Sequence, residues 1–149
     1  MKDLFDSVAA SGIQDRLSKL QPDSKPLWGK MNVSQMLAHC TVPLQVALSE
    51  VQLKQSLFGK IFGRIAKKRM VSENEFKRHL PTAPQFIVRD ERNFMSEKQK
   101  LQSLIQRFAS SDPDSIAKVP HPFFGPMTKK EWGVLQWKHM DHHLRQFGV

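Results

Sequence analysis

The amino-acid sequence predicts an all-α protein, a four-helix bundle with an extended connection between its second and third helices. Apolar residues recur at helical spacing in four separate stretches, and three of these open on a capping-box pattern. No segment is a convincing β-strand run, and no internal repeat is present. At 149 residues the chain is long enough to bury one continuous apolar core, so a single domain over residues 1–149 is expected.

Leu4, Val8, Ile13, Leu17 and Leu20 trace the first helix over about the first twenty residues, weakened by Ser11-Gly12 and ended by Pro22, Pro26 and Gly29. The second helix starts where Asn32 and Gln35 form a capping box ahead of Met36-Leu37-Ala38-His39-Cys40. Pro43 lies inside it and deprives the His39 carbonyl of its usual helical partner, which predicts a kink. Residues 57–70 place Leu57, Phe58, Ile61, Phe62 and Ile65 on one helical face among basic residues. Gly59 and Gly63 make this stretch a poor autonomous helix. Two readings apply to it: an apolar stripe covering the bundle, which we favour here, or a surface that touches a membrane. Pro81 and Pro84 mark a loop, and Phe86-Ile87-Val88 is too short to imply a sheet. Ser96 with Gln99 predicts the start of the third helix, whose Leu101, Leu104, Ile105 and Phe108 form a core stripe ending near Pro113. After the turn-rich segment 119–126, Thr128 and Glu131 cap a last helix that runs almost to Val149.

A net charge of +9 raises the question of nucleic acid. The basic residues are dispersed, densest from Lys60 to Arg69. With no tyrosine there is no aromatic platform for bases, so no dedicated nucleic-acid partner is expected. The single cysteine, Cys40, excludes an internal disulfide. The N-terminus lacks a secretory pattern, and no apolar run reaches the ~20 residues of a transmembrane helix. These features predict a cytoplasmic location.

On the last helix His139 and His143 project from one face, one turn apart, a spacing suited to chelation. Trp132, Leu135, Gln136 and Gln146 share that direction, whereas Lys130, Lys138, Asp141 and Arg145 fall towards the other side, so the histidine face is the core-facing seam. A divalent metal needs a further ligand from another helix, and His39 sits among apolar residues that turn it inward. Three neutral nitrogens plus water would leave an open coordination position. Spacing alone leaves two readings open, a metal site and three hydrogen-bonded core histidines.

Met36-Leu37-Ala38-His39 and His139-Met140-Asp141-His142-His143-Leu144-Arg145-Gln146 resemble the damage-inducible DinB-like superfamily, which is distinct from the DNA polymerase sharing that name. His121-Pro122-Phe123-Phe124-Gly125, Glu131-Trp132-Gly133 and Arg145-Gln146-Phe147-Gly148 look like one branch of it with undefined function. The resemblance runs from Asn32 to Gly148 and is weakest from Lys54 to Asp90. It implies a four-helix bundle holding one nickel or zinc ion on His39, His139 and His143. His142 stands where the superfamily often has another histidine, and is carried over as a pocket or catalytic residue that is not itself a ligand.

The expected pocket takes its walls from Trp132, Gln136, His121, Phe123, Phe124 and Gln146. Cys40 is read as a small core residue rather than a nucleophile, and His79 as a solvated loop residue. The resemblance implies a small-molecule substrate, a low-molecular-weight thiol such as bacillithiol or mycothiol, and metal-dependent chemistry through that thiol or through metal-bound water, as in a thiol S-transferase or a hydrolase. The alternative is a non-catalytic metal- or ligand-binding bundle; either reading leaves a homodimer open.

Overall fold

A computed structural model describes all 149 residues, and it is all-helical, with six α-helices and no β-strand. In chain order they are α1 (Ser7–Ser18), α2 (Val33–Ala47), α3 (Leu57–Met70), α4 (Phe94–Ser110), α5 (Pro113–Ala117) and α6 (Lys129–Gln146), with a 3-10 turn at Pro84–Phe86. The four helices expected from periodicity are α1, α2, α4 and α6. They form a ring in which α1 and α2 each pack against both α4 and α6. The core lies inside that ring and includes Leu37, Leu44, Leu101, Ile105, Phe108 and Trp132.

Both outer capping boxes form as their sequences dictate. The Asn32 side chain accepts from the Gln35 amide while Gln35 returns a bond to the Asn32 amide, and Thr128 and Glu131 do the same at the start of α6. The start of α4 differs from expectation. Asn93 caps it through a 2.9 Å bond from the Ser96 amide, so the cap lies three residues before the expected Ser96. Asn93 closes the first turn, and Phe94 is helical and buried. In α1 the cap is Asp6, and Val8 points to solvent while Ile13 and Leu17 reach the core. The short α5 was not foreseen, although Asp112 followed by Pro113 at the first helical position is a helix-start signal. Helix α2 continues through Pro43 to Ala47.

Two expectations are corrected where the connection between α2 and α4 meets the rest of the fold. The apolar stripe of α3 does not cover the ring: Leu57, Phe58, Ile61, Phe62 and Ile65 are all exposed. The helix sits on its glycine face instead. A Cβ at Gly59 would lie 2.6 Å from the Phe123 carbonyl oxygen, and one at Gly63 would overlap the same oxygen. Backbone meets backbone there, which only glycine permits. Lys138, expected to face water, is buried. Its ammonium donates to the Ser72 and Asn74 carbonyls at 2.7 Å each, because residues 72–74 lie over that flank of α6. Burial lowers its pKa from the usual lysine value.

Candidate metal centre

Helices α2 and α6 bring His39, His139 and His143 together. The three ring centroids form a near-equilateral triangle with sides of 5.0, 4.7 and 4.8 Å. One nitrogen from each lies within 4.8 Å of the other two, close enough for the three to share one metal ion. His39 Nε2 and His139 Nε2 are 3.0 Å apart. Two nitrogens bound at 2.0–2.1 Å on a tetrahedral ion would stand about 3.3 Å apart.

The remaining ring nitrogens define the protonation of two of these histidines. His39 Nδ1 is 2.8 Å from the Phe86 carbonyl oxygen, which can only accept, so His39 carries its proton on Nδ1. His143 Nδ1 is 2.8 Å from Gln146 Oε1. The orientation of that amide follows from its other end, where Gln146 Nε2 donates to the Trp28 carbonyl at 2.7 Å. His143 is therefore also the Nδ1–H tautomer, and both residues present an Nε2 lone pair to the cluster. Such outward bonds to carbonyl and amide oxygens are the usual way a metal-ligating imidazole is oriented.

His139 completes the arrangement. With His39 Nε2 unprotonated, a 3.0 Å approach needs a proton or a cation between the two nitrogens. His139 Nδ1 is buried without a partner, and so is the Oε1 of fully buried Gln136, three residues earlier on the same face of α6. An ion in place of the shared proton would let His139 carry its hydrogen on Nδ1, supplying a donor on the face where Gln136 Oε1 lacks one.

Electrostatics favour the neutral, ligating form throughout. Burial lowers the pKa of His39, partly opposed by the Phe86 bond. His139 is pushed well below the ordinary histidine value by burial and then by the neighbouring His143 and His39. His143 is pushed down to about 3 by burial and by His39. No carboxylate joins the cluster.

His142 projects elsewhere. Its ring packs edge-on against Trp28 and near Phe76, both at 5.8 Å, and against His143 at 5.0 Å. His121 is buried; its Nδ1 accepts from the Phe123 and Phe124 amides at 3.1 Å each, closing the turn that bridges His121 to Gly125. Burial lowers its pKa to about 3. Phe124 stacks on His121 at 4.4 Å and Phe123 is half-buried. Trp132 is fully buried behind them and donates its indole N–H to the Val119 carbonyl at 3.2 Å. Gln136 donates to the Pro43 carbonyl at 3.3 Å. Cys40 is buried beside Met36 Sδ at 3.7 Å, and burial pushes its thiol pKa up. His79 is exposed.

Sequence reasoning missed the carbonyls of Phe86 and Trp28. A signal for the second was present in Gly29, whose φ of +85° calls for glycine. A Cβ there would stand 2.5 Å from Gln146 Nε2.

The fold and this cluster define an all-helical protein with a largely buried cluster of three histidines that could hold a metal ion. Residues 6–148 match the model of a protein family of unknown function, DUF1569, and the chain belongs to that family. No curated protein and no solved structure matches it. No helix is long and apolar enough to cross a membrane.

Proposed function

We propose that this protein binds one divalent metal ion, nickel or zinc, on the Nε2 atoms of His39, His139 and His143, and that the chain is one four-helix-bundle domain of DinB-like type. The observation that carries the reading is the pair of outward bonds, His39 Nδ1 to Phe86 and His143 Nδ1 to Gln146, which aim two lone pairs at one point beside His139. Ordinary core histidines would have their hydrogen bonds completed by protein; here His139 Nδ1 is left over.

A bound ion would supply Lewis acidity, sufficient to hold a thiol as thiolate or to activate a water. With three protein ligands an exchangeable position remains for substrate. We therefore read the protein as a metal-dependent enzyme of thiol-transferase or hydrolase type, with a small-molecule substrate, a low-molecular-weight thiol foremost. In this reading His142 acts from the Trp28–Phe76 side, and Trp132, Gln136, His121, Phe123, Phe124 and Gln146 shape the pocket. The surplus positive charge would favour an anionic substrate. The second reading is a non-catalytic metal- or ligand-binding bundle. One observation favours it: the cluster has no carboxylate to serve as general base.

Cobalt substitution tests both. Adding cysteine or N-acetylcysteine to the cobalt protein should produce a sulfur-to-metal charge-transfer band, and metal-dependent turnover should appear when thiols are paired with electrophiles. Cobalt bound by a fourth protein ligand, with no spectral response to either thiol, would remove the enzyme reading and leave the binding bundle.

A further inference from the structure

Helix α3 presents an apolar face that nothing in the fold covers. Leu57, Ile61 and Ile65 are 76%, 63% and 73% exposed, and Phe58 and Phe62 are 64% and 46% exposed. At about 100° per residue they occupy a continuous sector of about 140°. The inner face of the helix, Gly59 and Gly63, is seated on Phe123, so the apolar sector points away from the protein.

The same fourteen residues carry Lys60, Arg64, Lys67, Lys68 and Arg69 and no acidic residue. Only Lys67 is paired, with Glu131 at 3.1 Å. Lys60 and Arg64 line one edge of the apolar sector, and Lys68 and Arg69 lie at its C-terminal end. Their long stems can lie along an apolar layer while the charges stay among polar groups.

We propose that α3 docks this protein, flat and reversibly, on an anionic phospholipid bilayer surface. An apolar sector bordered by unpaired cations is complementary to acyl chains bordered by anionic headgroups. Nucleic acid would pair with the cations but leave five large apolar side chains without a partner. A symmetric dimer through α3 would set the basic residues of one copy against the same residues of the other, a repulsive arrangement. The proposal is independent of the metal site.

The test is cosedimentation of the full, metal-loaded chain with vesicles of equal parts phosphatidylcholine and phosphatidylglycerol, beside vesicles of phosphatidylcholine alone. Binding to the anionic vesicles is expected, weakened by salt but not abolished, since the apolar contribution is unscreened. The Ile61→Ser/Ile65→Ser variant should bind about tenfold more weakly or worse, with unchanged circular dichroism and metal content. The Lys60→Gln/Arg64→Gln/Lys68→Gln variant should lose the preference for anionic lipid. The proposal is overturned by no cosedimentation, by equal binding to both vesicles, by binding insensitive to Ile61→Ser/Ile65→Ser, or by a dimer in sedimentation velocity that this variant dissociates. Duplex DNA binding that outcompetes the vesicles and ignores the isoleucines would overturn it in favour of nucleic acid.

Discussion

The Phe86 carbonyl oxygen lies 2.8 Å from His39 Nδ1, so a backbone atom of the long connection decides which nitrogen of a helix α2 histidine faces the cluster. His143 is held in the same way by Gln146, itself held by Trp28. The geometry of the histidine cluster thus depends on two loops as much as on the two helices that carry it.

Protein purified without tag or chelator should contain close to one divalent ion per chain by elemental analysis. His39→Ala, His139→Ala and His143→Ala should each lose it, and His142→Ala should retain it, because its ring packs against Trp28 and Phe76 instead. Loss in His142→Ala with retention in His139→Ala would reassign the ligands.

Metal should stabilise the fold, since α2 and α6 present the three nitrogens together only when folded. Free metal at about a hundred times Kd should add about 2.7 kcal/mol, read as a rise in Tm that a chelator reverses. An unchanged Tm after verified metal removal would argue against an ion that bridges the two helices.

Removing the acceptor behind His143 should weaken metal binding without abolishing it. Gln146→Ala frees His143 Nδ1 and should lower affinity by about 10- to 100-fold. Gly29→Ala should act in the same direction through Gln146, because its Cβ would press on the amide and its φ is positive. Competition with a metal indicator dye measures both, and wild-type affinity in Gln146→Ala would show that the bond does not orient the ligand.

Metal-free protein should lose stability in acid. Unfolded histidines protonate near pH ~6.5, whereas His143 and His121 protonate in the folded protein only near 3. Between those limits the unfolded chain binds more protons, so stability falls as pH drops through the window, by about 1.4 kcal/mol per pH unit for each such histidine. Urea titrations across that range should show the slope. His121→Asn, whose Oδ1 can accept the Phe123 and Phe124 amide bonds, should reduce it. A midpoint independent of pH would contradict the buried neutral state of these rings.

Local signals were legible in the sequence and distant ones were not. The Asn32–Gln35 and Thr128–Glu131 boxes are self-contained, and both formed as read. The inward faces of α2 and α6 followed from their apolar neighbours, which was enough to nominate three histidines that meet across a hundred residues. His39 is oriented by the Phe86 backbone carbonyl, and Gln146, which orients His143, is itself held by that of Trp28; a carbonyl has no residue type to read. Lys138 shows a related gap, since its buried partners are carbonyls of a loop that sequence spacing does not place. In α3 two faces competed for the interior. Apolar periodicity favoured the isoleucine face, but the absence of Cβ atoms on the glycine face allowed a closer approach.

That mode of attachment has a consequence for motion. Helix α3 meets the rest of the protein through Gly59 and Gly63, through half-buried Ala66 and Met70 and through the Lys67–Glu131 pair, and it buries no large side chain fully, so lifting it off uncovers less apolar area than opening any helix of the ring. Its opening should be a local event costing far less than global unfolding. Amide protons of Leu57–Met70 should therefore exchange with solvent deuterium well before those of α2 or α4, and α3 can change its surroundings while the histidine cluster stays assembled.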